Sequence, residues 1–424
     1  MTLLQTDTPD DEAGARSRVA GLGSPTVSTV LRGKLCSGCG GCAAIAPAAI
    51  AMAPSPDGFL RPRVHGSVDA AQEAQIARAC PGNVLTLDAR GRPDDPLWGP
   101  IVALRTGHAA DPALRRHASS GGALSAIVTH LLQRGVVDAV LQTAADPDHA
   151  LGNVTVISSG GEEVHAAAGS RYAPSTPLAG LGDRLASLGK VAFVGKPCDV
   201  AALQSLRAND PRLAAQVPVT ISFFCAGVPS ERAARRVLEH LGIDGRDVAS
   251  FRYRGDGWPG HARAQLKDGT VRQMTYAQSW GGILSKDVQL RCKICPDGTG
   301  GFADIVCADA WETDDAGYPL FEEAEGVSLV VSRTALGEDL VRDALAAGTL
   351  IARPVDVCSI APMQPGQVRK RRATLARLAG LRACLRPVPQ YRGFHLATNA
   401  RRAGALANAK EFLATVRRVV RGRL

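Results

Sequence analysis

Three cysteines stand close together near the start of the chain, in the stretch CSGCGGCAAIAP. Cys36, Cys39 and Cys42 have C-x-x-C-x-x-C spacing, the spacing with which ferredoxin loops wrap an iron–sulfur cluster. In that pattern a fourth cysteine usually precedes a proline, whereas this chain has Ala46 before Pro47. The loop therefore predicts an iron–sulfur site that takes its fourth ligand from elsewhere in the chain.

The next cysteine is Cys80, which lies 38 residues after Cys42 in the stretch ARACPG. A cysteine followed by proline is typical of a ligand that closes a cluster loop, because proline fixes the turn and removes a competing backbone donor. We predict a [4Fe–4S] cluster held by Cys36, Cys39, Cys42 and Cys80. A zinc site, a three-iron cluster with three ligands and a set of buried thiols are the alternatives.

A second group of cysteines is spread over three stretches. Cys292 and Cys295 form a C-x-x-C pair in RCKICPDGTGGFADIVCADAW. Cys198 in VGKPCDV and Cys225 in FFCAGVPS each follow an apolar run that is typical of a strand. In an open sheet the carboxyl ends of the strands line the ligand crevice, so these four thiols predict a second cluster, with zinc as the alternative. Cys307 is left over, either as a substitute for one of the four or as a buried thiol.

Several stretches of small and polar residues have the composition of a ligand-binding site. HASSGGALSA opens a predicted helix with free backbone amides, which suit a phosphate or an electron-rich ring edge, although a plain helix cap is as common. AGSRYAPS, GKPCD and RYRGDGWPG add cations and aromatic rings. No GxGxxG or P-loop motif is present, so a nucleotide cofactor needs another type of site. The candidate residues are Ser119, Ser120, Gly121, Gly122, Gly169, Ser170, Arg171, Tyr172, Lys196, Arg254 and Trp258.

The formal net charge of +9 comes from the end of the chain. Residues 366–424 carry 15 Lys or Arg and a single acidic residue, Glu411, so the preceding residues carry a net charge of −5. Apolar residues recur every three or four positions between these arginines, which predicts amphipathic helices. Because aromatic residues and nucleic-acid modules are scarce there, a solvated face, an acidic protein partner or anionic lipid is favoured over nucleic acid.

Strands that alternate with helices organise most of the chain. Such units include the stretches GALSAIVTHLLQ, KVAFVGKPCDV and PVTISFFCAGV. This alternation predicts an α/β fold with a mixed sheet covered by helices. No transmembrane run or secretory signal is evident, and eleven cysteines favour metal chemistry in the cytoplasm over disulfides. The predicted regions are a disordered tail (1–29), a small ferredoxin-like cluster module (30–92), an α/β domain (93–365) and a basic helical tail (366–424).

As a set, these stretches resemble the family of coenzyme F420 hydrogenase and dehydrogenase beta subunits, which includes chlorophyll-cycle reductases that take electrons from ferredoxin. The resemblance covers residues 30–365 and rests on the loop with the remote Cys80, SSGG, GSRYAPS, GKPC, FFCAGVPS and CKICPDGTGGFADIVCADAW. It implies FAD bound by an α/β domain, with flavin contacts at 120–122 and 169–172. It also implies a cluster near the flavin, held by Cys198, Cys225, Cys292 and Cys295.

Clusters beside a flavin predict an oxidoreductase, because clusters move single electrons and a flavin passes two as hydride. The expected donor is ferredoxin or another redox protein, and electrons then pass through two [4Fe–4S] clusters and FAD to a small organic substrate. Family substrates are deazaflavin, tetrapyrroles or polysaccharide-related compounds. Lys196 and Arg171 are candidates to stabilise negative charge on the reduced ring, and His117 is a candidate acid or a solvated surface histidine. A non-catalytic electron-transfer subunit and a zinc-structured binding protein are the competing functions, and homo-oligomerisation is left open.

Overall fold

The computed structural model describes residues 23–314, 320 and 322–422. Seventeen strands occur within these residues. They are β1 Ile50–Pro54, β2 Leu60–Val64, β3 Val84–Thr86, β4 Asp94–Asp95, β5 Gly99–Pro100, β6 Ala103–Ala109, β7 Ala139–Ala145, β8 Asn153–Ser158, β9 Val191–Val194, β10 Val219–Phe223, β11 Val248–Arg252, β12 His261–Leu266, β13 Val271–Thr275, β14 Ile305–Asp309, β15 Ser328–Ser332, β16 Leu350–Pro354 and β17 Gln390–Arg392.

Helices separate most of these strands. The α-helices of the described residues are Pro25–Arg32, Gly41–Ile45, Ala70–Ala79, Pro112–His117, Ala123–Gln133, Gly161–Ala166, Leu181–Leu185, Pro197–Arg207, Pro211–Gln216, Glu231–His240, Leu290–Lys293, Ala335–Ala346, Ile360–Met363, Pro365–Ala383, Leu396–Ala403 and Ala405–Val420. A π-helical segment spans Ala277–Ile283, and short 3₁₀ turns span Gly245–Asp247, Leu284–Asp287 and Val357–Ser359.

Eight of the strands form one mixed sheet in the order β16-β6-β15-β14-β10-β9-β7-β8. The four central strands, β14, β10, β9 and β7, are parallel, and the outer strands add antiparallel edges on both sides. The predicted mixed α/β fold is therefore confirmed. Parallel strands need crossover connections, and the alternation of strand and helix between residues 123 and 240 supplies them.

Helices cover both faces of the central sheet. Val191 and Phe193 of β9 pack on one face with the helices Leu181–Leu185 and Pro197–Arg207. Ala192 and Val194 point to the other face, where the helices Ala123–Gln133 and Ala335–Ala346 lie. Because both faces are buried, the central strands are apolar at almost every position and form continuous apolar runs in the sequence.

The helix Pro25–Arg32 begins inside the segment predicted as a disordered tail. Ser24 caps this helix by accepting a hydrogen bond from the backbone N–H of Val27 at 3.1 Å, and Val27 and Val30 are buried. The predicted boundary at residue 29 is therefore wrong, because a cap and two buried valines fix the chain from Ser24 onward. The remainder of that predicted tail, residues 1–22, lies outside the described residues.

The C-terminal helices pack against the rest of the protein. β17 pairs in parallel with β3, so the end of the chain joins the segment that directly follows Cys80. Arg371, in the helix Pro365–Ala383, is only 1% exposed. The expected solvated basic face is thus wrong for this arginine, because backbone carbonyls of the body accept its hydrogen bonds. Among the helices described, none is both long and apolar enough to cross a membrane.

Candidate functional site

The first cysteine group lies where the loop of residues 36–42 meets the end of a helix. Gly40 has a positive φ of 85° and starts the helix Gly41–Ile45; a side chain there would lie 2.6 Å from the backbone nitrogen of Ala179, so the close approach requires glycine. The helix Ala70–Ala79 packs against Gly41–Ile45 and ends at Cys80. This packing brings Cys80 to the loop.

The thiols of the four cysteines lie close enough to act on one another's pKa. Burial, together with the neighbouring Cys39 and Cys36, raises the pKa of Cys80 to about 12. Burial also raises the pKa of Cys42, with added contributions from Cys39, Cys80 and Cys36. The backbone N–H of Gly41 donates to the Cys39 sulfur at 3.5 Å. The structure therefore brings together all four residues predicted to form the first site.

The second cysteine group is assembled at the carboxyl ends of two adjacent parallel strands. Cys198 lies in the first turn of the helix that follows β9, and Cys225 follows β10 directly. Cys292 and Cys295 come from a distant loop, which is joined to the strand-end loop by a hydrogen bond of 3.4 Å from the backbone N–H of Val228 to the Cys292 sulfur. The edge of the sheet thus collects thiols that are far apart in sequence.

These four thiols also influence one another. Burial raises the pKa of Cys225 to about 12, and the neighbouring Cys292 and Cys295 act in the same direction. Burial raises the pKa of Cys198 well above its ordinary value, with contributions from Cys225 and Cys292. Such buried thiols ionise only if positive charge compensates them, which is what a bound metal centre provides.

Cys307 lines the same cleft as Cys225, and its backbone carbonyl accepts a hydrogen bond of 3.0 Å from the N–H of Phe224. It lies on β14, packs in the apolar layer beside the helices Ala123–Gln133 and Ala335–Ala346, and is 5% exposed. Burial alone raises its pKa to about 12. Of the two interpretations left open by the sequence, the structure favours the buried thiol. Within the described ranges, no three His, Cys, Asp or Glu side chains converge tightly enough to hold a single metal ion.

A polar bridge connects the two cysteine groups. Gln289, which is 4% exposed, accepts a hydrogen bond from Arg61 at 2.9 Å and donates to the Cys292 sulfur at 3.5 Å. Arg61 also donates to the backbone carbonyl of Cys36 at 3.1 Å. On another side, buried Arg291 donates to the carbonyl of Pro81 at 2.9 Å. The two groups are therefore neighbours with an ordered protein link between them.

A cleft opens beside the second group, at the carboxyl ends of β9, β10 and β14. Cys225 and Lys196 contribute to its wall, so the cleft and the second group share residues. Gly121 does not line the cleft; it packs against the neighbouring strands, and a side chain there would lie 2.8 Å from the carbonyl of Gly107. The other predicted cofactor residues all line it: Ser119, Ser120, Gly122, Gly169, Ser170, Arg171, Tyr172 and Lys196.

Two serines hold the loops of the cleft in place. Ser119 donates to the carbonyl of Arg254 at 3.1 Å and accepts a hydrogen bond from the backbone N–H of Ser170. Ser120 donates to the carbonyl of Val327 at 3.1 Å. The serine hydroxyls are thus engaged by the protein, whereas Gly122, with φ of 72°, starts the helix Ala123–Gln133 at the cleft wall. The ligand-facing features of this segment are the helix start and its small residues.

The two cations predicted near the flavin differ in their surroundings. Arg171 donates to the carbonyls of Phe251 and Gly152 and to the side chain of Asn153, so its hydrogen bonds fix the loop. Lys196 is buried, and its ammonium lies 2.7 Å from Asp199. Although burial opposes its charge, the Asp199 carboxylate holds the pKa of Lys196 above its ordinary value. Lys196 therefore stays a cation at the edge of the cleft.

His117 does not line the cleft. Its Nδ1 lies 2.8 Å from Asp256, and both side chains are 40% exposed. This placement fits the solvated surface histidine better than an acid that serves a ligand in the cleft.

Four aromatic residues form a wall of the cleft, and only Tyr172 among them was predicted from the sequence. Tyr172, Tyr276, Trp280 and Trp311 line it, and Trp280 lies in the π-helical segment Ala277–Ile283. Tyr172 and Trp280 have ring centroids 4.7 Å apart, and Tyr276 and Trp311 stack at 5.7 Å. Planar rings prefer such surfaces, and π-helical segments often occur at functional sites. The only signal in the sequence was that a chain with few aromatic residues has tryptophans in SWGG and ADAW.

An ion pair fastens this wall. Arg254, which the sequence singled out, forms a bidentate pair with Asp309 at 2.8 and 2.7 Å. The Arg254 guanidinium lies over the rings of Tyr276 and Trp311, at 4.8 and 4.9 Å from their centroids. Trp258 donates to Asp309 at 2.9 Å. Arg254 is therefore neutralised and serves to position the aromatic rings.

Two family models match the chain. The model of the N-terminal part of the coenzyme F420 hydrogenase/dehydrogenase beta subunit matches residues 104–181, and the model of its C terminus matches residues 188–357. These matched ranges contain the cleft loops, all four cysteines of the second group and the π-helical segment. The first cysteine group and the C-terminal helices lie outside them.

Curated relatives agree with this match. The chain is 28% identical over 262 residues to the beta subunit of the coenzyme F420 hydrogenase of Methanococcus voltae, which covers 58% of this chain and 82% of the relative. It is 22% identical over 327 residues to one subunit of the F(420)H(2) dehydrogenase of Methanosarcina mazei, covering 75% and 86%. A chain of the F420-reducing [NiFe] hydrogenase complex from Methanosarcina barkeri has a TM-score of 0.50 at 21% identity, covering 67% of this chain and 96% of that one, which supports the fold.

Proposed function

Since the chain belongs to the family of coenzyme F420 hydrogenase/dehydrogenase beta subunits, we propose that it is an electron-transfer subunit of an oxidoreductase, with two iron–sulfur centres and a flavin. The observation that carries this proposal is the continuity of three sites: the first cysteine group, the second cysteine group and the cleft. Gln289 bridges the first to the second, and Cys225 belongs to both the second and the cleft wall.

The donor sets fit iron–sulfur centres. Each group supplies four partly or fully buried thiols near backbone N–H groups and cations, and cysteine thiolates are the usual ligands of [4Fe–4S] clusters. A zinc ion bound by the same thiols is the alternative that metal analysis must test. Cys36, Cys39, Cys42 and Cys80 would hold one cluster and Cys198, Cys225, Cys292 and Cys295 the other.

The cleft fits a flavin or a similar planar cofactor. The helix start at Gly122 offers amides to a phosphate or ring edge, and Lys196 keeps a positive charge at the wall. The aromatic wall of Tyr172, Tyr276, Trp280 and Trp311 supports stacking of a planar ring. A bound FAD would supply the conversion between single electrons and a hydride.

The chain's own residues would then position and protect the electron carriers. The Gln289–Arg61 bridge fixes the distance between the two cysteine groups. Lys196 holds its proton at the edge of the cleft, where its charge stabilises negative charge on a reduced ring. The Arg254–Asp309 pair keeps the aromatic wall in place. An external redox protein, such as a ferredoxin, is the proposed donor to the first group.

A second candidate function is a reductase that acts directly on a small organic substrate. The aromatic wall favours this function over a pure carrier if the substrate is planar. The relatives' names specify coenzyme F420, a deazaflavin, and a tetrapyrrole is also planar. A polysaccharide-related compound lacks such a ring and fits this wall less well.

The test is to purify the full chain without oxygen and to measure iron, sulfide, zinc and flavin per chain together with electron paramagnetic resonance (EPR) spectra. We expect about eight iron atoms and one flavin per chain, since two cubane clusters hold four irons each. Zinc without iron or flavin would contradict the proposal.

Stopped-flow kinetics separate the two functions. If the reduced protein is reoxidised only by a protein partner, it is an electron-transfer subunit. Rapid reoxidation by a deazaflavin or a tetrapyrrole alone would instead establish the reductase.

A further inference from the structure

The long C-terminal helix Pro365–Ala383 contacts the second cysteine group. Lys370 donates from its ammonium to the backbone carbonyl of Cys225 at 2.8 Å, and Gln367 donates to the same carbonyl at 3.1 Å. A side chain at Gly298 would collide with both Gln367 and Lys370, so the loop after Cys295 lies directly against this helix. The family model ends at residue 357, so these contacts come from a part of the chain that the match does not include.

The same helix buries a guanidinium beside this group. Arg371 is 1% exposed and donates to the carbonyls of Leu97, at 2.6 Å, and Pro296. The buried Asp297 carboxylate and, more weakly, Cys295 act on its charge. One turn and a half further on, Arg377 donates to the carbonyl of Lys293 at 2.8 Å. Cationic side chains of this helix therefore contact the loop that carries Cys292 and Cys295 at three positions.

The two cysteine groups differ in the fixed charge around them. Around the second group stand Lys370, Arg371, whose charge is opposed by the buried Asp297, and Lys196, whose charge is opposed by Asp199. Around the first group stands Arg61, whose charge is opposed by Asp57 at 3.7 Å, while Arg291 lies between the two groups. Lys370 is therefore the cation that distinguishes the second group from the first.

We propose that the helix Pro365–Ala383 is an electrostatic cap, whose Lys370 raises the reduction potential of the second iron–sulfur centre above that of the first. This inference rests on the proposed function. Reduction adds one electron and no atom, so the charge of a centre falls by one. A fixed cation in contact with a weakly screened site stabilises that reduced form. Lys370 would thereby direct electrons from the first group toward the cleft.

The test is a redox titration of the anaerobically purified full-length protein, followed by EPR, with dithionite as the reductant. Lys370→Met removes the charge and keeps much of the side-chain length. We expect the reduced-to-oxidised ratio of the second centre at a fixed potential to fall about tenfold, which corresponds to ~59 mV for one electron. The signal of the first centre should not move. Because Arg371 is buried and its replacement is liable to unfold the cap, Lys370 is the site of choice.

Two matched variants serve as controls. Lys370→Arg keeps the charge and should keep the wild-type ratio, which a purely steric role of Lys370 would not predict. Arg382→Met removes an exposed cation from the same helix and should leave both centres unchanged. A Cys80→Ala protein, in which the first centre is expected to be lost, assigns the remaining signal to the second.

Three results would overturn the inference. An unchanged potential in Lys370→Met with full iron content would exclude tuning while leaving the proposed function intact. Equal shifts of both centres would show a global effect, and loss of about half of the iron would show a structural role for Lys370. If the wild-type protein lacks iron, the proposed function itself fails, and this inference with it.

Discussion

The two cysteine groups are built in different ways. Three residues of the first group stand within seven positions, and one helix brings the fourth, Cys80, back to the loop. The second group takes its cysteines from two strand ends and one distant loop, and the C-terminal helix covers it. The first group thus depends on local chain geometry, whereas the second exists only after the sheet has formed.

This difference determines which parts of the molecule a substitution in each group affects. The second group shares Cys225 with the cleft and contacts the C-terminal helix, so a change there reaches three parts of the molecule. The first group contacts the second through Arg61, Gln289 and the Arg291–Pro81 hydrogen bonds, and Cys39 packs into the core of the α/β body. Substitutions of single residues can measure how separate the two groups are.

The largest effect is expected from Cys225→Ala. This variant should lose the second centre, about half of the iron, and also part of the flavin, because Cys225 lines the cleft. The measurement is iron, sulfide and flavin per chain after anaerobic purification, with Cys358→Ala, an exposed cysteine, as the control. Full iron content in Cys225→Ala would show that this residue is not a ligand.

Cys80→Ala should have a narrower effect. We expect loss of about half of the iron with the flavin retained, because the first group does not reach the cleft. EPR should show one centre instead of two. If the flavin is lost together with the iron, the first group and the cleft depend on each other, contrary to this prediction. Unchanged iron would indicate that Cys80 is not the remote ligand.

Gln289→Leu tests the bridge. Loss of the side-chain amide leaves Arg61 without one of its acceptors in a buried site, which should cost about 1–3 kcal/mol of stability. Denaturant unfolding measures the cost, and the first group should become the more sensitive to oxygen. Gln273→Leu, at an exposed position of β13, is the matched control. A stability equal to the wild type would mean that the bridge does not hold the two groups together.

The smallest effect is expected from Cys307→Ala. This cysteine is buried in an apolar layer beside the cleft, so its loss should leave a small cavity and cost about 1 kcal/mol. Iron, sulfide and EPR spectra should match the wild type. Any loss of iron would instead indicate that Cys307 is a ligand and would change the set of cysteines assigned to the second group.

Much of the fold could be predicted from the sequence because the central strands are buried on both faces. Val191–Val194 and the helix after it follow the apolar run and the Gly-Lys-Pro turn in the sequence. The remote Cys80 was found because the loop lacked one cysteine and Cys-Pro is an unusual pair. The helix cap at Ser24 was not predicted, because its effect depends on valines that become buried only in the folded chain.

The contacts of the aromatic wall and of the helix Pro365–Ala383 could not be predicted from the sequence, for a different reason. Tyr172 and Trp280 are more than a hundred residues apart, and no spacing rule relates them. Arg371 looked like one of many basic residues of an amphipathic helix, and only the carbonyls of Leu97 and Pro296 reveal that it is buried. Long-range contacts of this kind leave no local pattern in a single sequence.

The covering of the second group by the C-terminal helix has a consequence for biosynthesis. A ribosome has delivered every cysteine of the first group once residue 80 is made, but the cap arrives only with residues 365–383. Domains generally fold from the N terminus during synthesis. Under the proposed function, iron and sulfide would therefore reach the second group before the helix Pro365–Ala383 is made and packs against it.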